Sequence, residues 1–241
     1  FLITANSLSA FQDLARSHRL QFNIPIIGIT GSNGKTIVKE WLNTCLKKSY
    51  NTCKSPKSYN SQVGVSLSVI GLKQSHEIGI FEAGISQKGE MMRLKNIIQP
   101  SIGIFTNIGQ AHSENFESLK EKTREKASLF TEVEKLVYCK DHKEIHEAAI
   151  GIDNAQLYAW SSKDNNSFLY VKNIRQKSDK STLTLIHNNT ENVFYIPFND
   201  KASTENCLHV ICTLISLNIP SQKIQNGLDE LQPIAMRMEL K

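Results

Sequence analysis

Ile26-Ile27-Gly28-Ile29-Thr30-Gly31-Ser32-Asn33-Gly34-Lys35-Thr36 is an apolar run that ends abruptly in a glycine-rich turn carrying Lys-Thr. A helical pattern, Thr36 to Lys48, follows at once. Strand, turn and helix in that order are the setting of a triphosphate cradle. Backbone N–H groups point at phosphate oxygens, the helix adds its positive end, Lys35 neutralises β/γ charge and Thr36 offers a hydroxyl to Mg²⁺. Gly31 and Gly34 let the backbone come close, with Ser32 and Asn33 between them. The usual spacing has a glycine six residues before the lysine, where this chain has Ile29, so the match is to a shorter form, Gly-x-x-Gly-Lys-Thr. The competing reading is a glycine turn with a solvated lysine.

Working outward, apolar runs at 24–30, 78–83, 101–106 and 135–139 alternate with helical patterns at 35–48, 61–72, 88–98 and 117–130. That alternation predicts βαβ units and an α/β fold: a phosphate-loop-containing, mostly parallel sheet flanked by helices. Ligands then belong at the carboxyl ends of strands, where Thr30 to Thr36, Glu82 to Gly84 and Thr106 to His112 fall. Short runs at 155–160, 167–174, 181–187 and 192–197, separated by Asn, Asp, Ser and Lys clusters, predict a small antiparallel subregion. Helices are expected at 201–217 and 220–231, and Leu8 to Leu20 reads as an amphipathic helix leading into the first strand.

The 241 residues, 40% hydrophobic and 21% charged, can bury a core of one large or two small domains. No run approaches the roughly 20 apolar residues of a membrane span and no signal peptide opens the chain, so membrane insertion is not expected and a cytoplasmic setting is. The five cysteines lack a Cys-x-x-Cys pair and several sit in apolar runs, as small buried hydrophobes do. A net charge of +5 is spread along the chain without the aromatic-basic pattern of a nucleic-acid module, so nucleic acid is not an expected partner. Lys47, Lys48, Lys54 and Lys57 follow the phosphate loop in sequence and either attract an anionic nucleotide or form a solvated face. His142 and His146, with Glu147, have helical spacing for a metal, but their segment is charged nearly all round and favours an exposed helix.

Glu82 closes the apolar strand Ile78-Gly79-Ile80-Phe81, where an unpaired carboxylate is costly to bury. A hard cation held with Thr36 and phosphate oxygens explains it, and a capping or salt-bridged glutamate is the alternative.

The short phosphate loop is followed by Lys57-Ser58-Tyr59-Asn60-Ser61-Gln62-Val63-Gly64-Val65, Phe81-Glu82-Ala83-Gly84, Thr106-Asn107-Ile108-Gly109-Gln110-Ala111-His112 and Arg124-Glu125-Lys126-Ala127. In order and spacing these resemble the central ATP-binding domain of the Mur ligases, over about Phe22 to Lys241. Gly89-Glu90 and Pro100 look like the MurF branch more than like MurC, MurD or MurE. The chain departs from the family where it has Ser61 for a second Asn, Ser66 for Pro and Ile37-Val38 for Thr-Thr.

The resemblance implies an ATP-dependent ligase of peptidoglycan precursor synthesis. It would add D-Ala-D-Ala to UDP-MurNAc-tripeptide through an acyl phosphate, with ATP and Mg²⁺. Phosphoryl transfer needs positioning and charge neutralisation rather than a protein nucleophile, consistent with the absence of a Ser-His-Asp arrangement. By resemblance Lys35, His112 and Lys126 are catalytic, and Thr36, Glu82, His112 and Lys126 hold metal, with Lys126 as a carbamylated lysine. Asn206 contacts adenine, although the usual His-Asn lead-in is absent, and Arg237 reaches the ATP phosphates. Asn60 and Ser61 touch the tripeptide. Residues 1–21 would be the tail of an N-terminal UDP-substrate domain, 22–232 the ATP-binding domain and 233–241 the linker to a C-terminal domain, making the chain a fragment without the flanking ligase domains. The phrases at 55–62 and 83–90 look like the version of MurF fused ahead of an alanine racemase. A MurE-like or folylpolyglutamate synthase ligase would share the ATP residues, and a nucleotide-binding regulatory module would share the fold without ligation.

Overall fold

A computed structural model describes residues 3–109 and 115–234. Its centre is a nine-stranded sheet in the order β2-β3-β1-β4-β5-β6-β7-β8-β9. The strands are β1 (Ile26–Thr30), β2 (Thr52–Lys54), β3 (Ile78–Glu82), β4 (Ile102–Phe105), β5 (Lys135–Cys139), β6 (Gln156–Ser161), β7 (Leu169–Gln176), β8 (Ser181–His187) and β9 (Thr190–Ile196). The helices are α1 (Ser7–Arg19), α2 (Lys35–Leu46), α3 (Gln62–Ile70), α4 (Glu90–Ile98), α5 (Leu119–Ala127), α6 (Lys143–Ala149), α7 (Lys201–Ser216) and α8 (Ser221–Leu228).

The central strands are buried nearly throughout because both faces are covered. Alternate residues point to opposite sides. Ile27, Ile29, Ile80, Ile104 and Val137 join α2, α7 and α8 through Val38, Leu42, Val210 and Ile224. Ile26, Phe81, Phe105, Leu136 and Tyr138 pack with α3, α4 and α6 through Val65, Val69, Leu94 and Ile145. At the antiparallel end, among the described residues, one face is covered: Leu183, Leu185, Phe194 and Ile196 belong to the α2/α7/α8 side. Hence β8 alternates buried with half-exposed positions over most of its length.

The expected antiparallel region is smaller than the sequence suggests. The run at 155–160 was expected in that meander, but β6 pairs parallel with β5, from Lys135↔Gln156 to Cys139↔Trp160. The reason is α6, a short helix that serves as the crossover between them. β7 touches β6 in parallel at Trp160↔Leu169 and Ser161↔Tyr170, and antiparallel pairing starts only between β7 and β8. The edge strand β2 was not anticipated; it pairs with β3 over Thr52, Cys53 and Lys54, too short a run to carry a period.

α1 packs on the same face as α3 and α4, burying Ala15. Arg19 donates to the carbonyls of Ile98 (2.9 Å) and Gln99 (3.2 Å), placing a cation where α4 ends in unpaired carbonyls. Lys47 and Lys48 stand past the far end of α2, roughly 18 Å from the phosphate loop by helix rise, and Lys48 pairs with Glu230. Lys54 pairs with Glu40. Lys47 and Lys48 therefore form a surface away from the loop, whereas the Glu40 that Lys54 meets also meets Lys39, at 3.3 Å. His142 bonds Glu205 at 2.8 Å and His146 bonds the Tyr138 hydroxyl at 2.9 Å, so the two histidines serve different partners. Among the described residues no helix is long and apolar enough to cross a membrane.

Candidate active site

The carboxyl ends of β1, β3 and β4 converge on the glycine-rich loop. Gly31 has φ +149°, and a Cβ there would lie 2.0 Å from Thr106 Oγ1. Gly34, at φ +81°, opens α2 without a side-chain cap. Its missing Cβ makes room for Asn206, whose Oδ1 would otherwise be 2.3 Å away. In contrast α3, α5 and α7 are capped by Ser61, Ser118 and Asp200. The first N–H groups of α2 are thus left for an anion. Gly31→Ala is expected to weaken nucleotide binding more than tenfold while the far-UV circular dichroism spectrum stays unchanged, because the added methyl meets Thr106 and the Asn107 backbone, the contacts that seat the loop after β4, rather than the apolar side chains of the core.

The loop is fastened to the segment after β4. Ser32 N–H donates to Asn107 O and Asn33 N–H to Asn107 Oδ1, both at 2.9 Å. Ser32 Oγ exchanges hydrogen bonds with the backbone of Gly109. Lys35 Nζ rests on the carbonyls of Gly31 (2.9 Å) and Ser32 (3.3 Å). Burial lowers the Lys35 pKa, Glu82 opposes that shift and the Lys122 charge adds to it.

Glu82 is completely buried. The Thr36 hydroxyl donates to its Oε2 at 2.9 Å, and Lys39 Nζ lies 3.2 Å from Oε1. The carboxylate is therefore salt-bridged, which was one of the sequence alternatives. Lys39 is equally buried and donates also to the carbonyl of Lys57, in the loop that leads to Asn60. Lys39 was missed because it reads as an ordinary helix lysine. Its signal was its place one turn after Lys35, on a helix whose neighbours Val38, Trp41 and Leu42 are core.

Across the loop a cleft of about 360 Å³ is lined by Gly31, Ser32 and Lys35 on one side and by Asn60, Ser61, Gly84 and Lys126 on the others. Asn60 is fixed through its carbonyl, which accepts from Gly84 N–H at 2.8 Å. Ser61 caps α3 by accepting from Gly64 N–H at 3.3 Å. Lys126 is aimed by its neighbour: Glu125 caps α4 from outside, accepting from the N–H groups of Gly89 (2.8 Å) and Met91 (3.2 Å). Burial brings the Lys126 pKa down to about 7, with the charges of Lys35 and Lys122 pushing the same way and Glu125 opposing. Lys122, also buried, donates to the Gly109 carbonyl.

Of the residues singled out from sequence, Gly31, Ser32, Lys35, Asn60, Ser61 and Lys126 share this cleft, and Thr36 with Glu82 adjoins it. Asn33 lies in the loop and donates to Asn107, and Asn206 packs beside Gly34. His112 and Arg237 lie outside the described residues.

The profile of the Mur ligase middle domain matches residues 29–214. The chain belongs to the Mur ligase family. The UDP-N-acetylmuramoyl-tripeptide–D-alanyl-D-alanine ligase of Bacillus subtilis is 26% identical to it over 242 residues, 99% of this chain and 51% of that protein. A crystal structure of MurF from Acinetobacter baumannii superposes with a TM-score of 0.87 at 22% identity, covering 97% of this chain and 52% of that one. MurF ligase from Thermotoga maritima, in complex with ADP, superposes with a TM-score of 0.86 at 19% identity, covering 97% and 54%. This Mur ligase domain spans about half the length of the curated relatives it matches, and it has the fold of the MurF structures.

Proposed function

We propose that the chain is the ATP-binding core of a ligase that adds D-Ala-D-Ala to UDP-MurNAc-tripeptide in peptidoglycan precursor synthesis. The observation that carries the reading is the shared cleft: the phosphate loop with Lys35 faces Lys126, Asn60 and Ser61 across it, and the Thr36–Glu82 oxygen pair adjoins it. Relatives named as that ligase support the choice of substrates, and the ADP held by the Thermotoga protein supports the nucleotide. The complete reaction belongs to a polypeptide that also carries what the relatives have beyond this span. A cytoplasmic setting goes with this reading.

The donor set fits Mg²⁺. Thr36 and Glu82 offer hard oxygens beside a cradle whose glycines, Gly31 and Gly34, add no side chain to it. Magnesium held there would neutralise charge on the β- and γ-phosphates. Lys35 holds phosphate charge from the helix end, the α2 N–H groups orient the phosphates, and Asn206 faces the base. Asn60 and Ser61 hold the peptide whose carboxylate is phosphorylated before the amine attacks. His112 would complete a second metal site and Arg237 would reach the phosphates.

Lys126 is read as a carbamate. Its amine lies in the cleft among the cations Lys35 and Lys122, and addition of carbon dioxide with loss of a proton turns it into an anion suited to metal. Incubation with ¹³C-bicarbonate is expected to give a carbamate resonance that is absent in Lys126→Ala; a wild-type spectrum without it removes the carbamate from the mechanism.

Calorimetry of ATP with and without Mg²⁺, followed by ADP release with the UDP-linked tripeptide and D-Ala-D-Ala, tests the whole reading. The expected result is Mg²⁺-dependent ATP binding and, in the complete ligase, ADP release that requires both acid and amine. ATP binding without turnover for any acid and amine pair moves the assignment to a regulatory module.

A further inference from the structure

His209 is fully buried on α7, outside the cleft, and the mechanism above does not use it. Its ring joins two elements that the sequence keeps far apart. Trp160 Nε1 on β6 lies 3.2 Å from His209 Nδ1, and His209 Nε2 lies 2.7 Å from the carbonyl oxygen of Thr106. An indole N–H only donates and a carbonyl only accepts, so Nδ1 is the acceptor and the proton sits on Nε2. One tautomer satisfies both partners. Burial holds the His209 pKa down at about 4, which keeps the ring in this neutral form.

Thr106 carries the constraint into the phosphate loop. Its N–H donates to Thr30 O at 2.9 Å and its hydroxyl donates to Asn33 O at 2.6 Å. The same hydroxyl fills the space that a side chain at Gly31 would need. A phosphate cradle works only if its carbonyls turn away while its N–H groups face the anion. The Asn33 carbonyl is held away by Thr106, and Thr106 is held by His209.

We propose that His209 is a positioning residue for nucleotide binding: the chain Trp160–His209–Thr106 pins the Asn33 carbonyl and so presets the phosphate loop. The proposal rests on the reading of that loop as the ATP site.

ATP calorimetry with Mg²⁺ on the full chain tests it. His209→Leu is expected to weaken ATP binding about tenfold, the order of one buried hydrogen bond lost. His209→Gln, whose amide can accept from the indole and donate to Thr106, recovers most of that affinity. Thr106→Val, which keeps the carbonyl but loses the hydroxyl, gives a similar loss and decides the question if His209→Leu does not fold. Cys212→Ala, a buried change farther along α7, lowers the thermal midpoint but leaves the affinity unchanged, which separates positioning from mere packing. Affinities within twofold of wild type for folded His209→Leu, or for Thr106→Val, overturn the proposal while loss of binding in Lys35→Ala still upholds the ATP site. If the wild type itself fails to bind ATP, the ATP site falls and the proposal with it.

Discussion

Lys35→Ala is expected to weaken ATP binding at least about 100-fold and to lower ADP release in the complete ligase by about 10²–10³-fold, the scale on which a preorganised electrostatic donor acts. Two contributions compete to set the size of the loss. Helix N–H groups and the α2 dipole remain in the variant, and they supply about 0.3–1 kcal/mol at an exposed terminus. An ammonium about 4 Å from a phosphate oxygen is worth about 4 kcal/mol at the effective dielectric of a partly buried site. The ammonium wins. Folding should hardly notice the change, because among the described residues Lys35 hydrogen-bonds the loop carbonyls of Gly31 and Ser32, and burial already penalises its charge. The measurement is a pair: calorimetric affinity and thermal midpoint. Retained affinity in a folded Lys35→Ala variant removes the phosphate-loop assignment.

That prediction uses the part of the molecule most legible in sequence. The loop from Gly31 to Thr36 announces itself locally, since its glycines, its lysine and the following helix are contiguous. The strand ends after Glu82 and Thr106 could be placed because an apolar run stopped there. What the sequence hid is long-range. Nothing near Lys39 shows that its ammonium reaches Glu82, 43 residues away, and nothing near His209 points to Thr106, 103 residues away. The run at 155–160 was read into the meander because its Asn- and Asp-rich neighbours look like hairpin turns, whereas its actual partner, β5, is set by the crossover through α6. Asn107 looked like part of a motif, but its two hydrogen bonds to the phosphate loop follow only from β1 and β4 lying side by side.

Lys39→Met should cost about 3–5 kcal/mol of stability, because removing one partner of a buried ion pair leaves the other charge uncompensated. Both side chains are fully buried, so solvent screening offers no relief. For a domain of this size the loss corresponds to a fall in thermal midpoint of roughly 6–20 °C. The Thr36 hydroxyl remains on Glu82, but a neutral donor does not balance a carboxylate. The pair also serves placement: Lys39 bonds the Lys57 carbonyl, tying the loop that leads to Asn60 to the end of β3 at Glu82. Two further measurements separate stability from chemistry. Mg²⁺ with ADP should raise the midpoint of Lys39→Met more than that of wild type, since a cation at Glu82 replaces the missing ammonium. Lys39→Met combined with Glu82→Gln should regain much of the lost stability, because the pair then leaves no unbalanced charge behind, yet should show no stabilisation by Mg²⁺. Equal midpoints for Lys39→Met and wild type would sink the ion-pair argument. A Mg²⁺ response that survives in the double variant would place the metal somewhere other than Glu82.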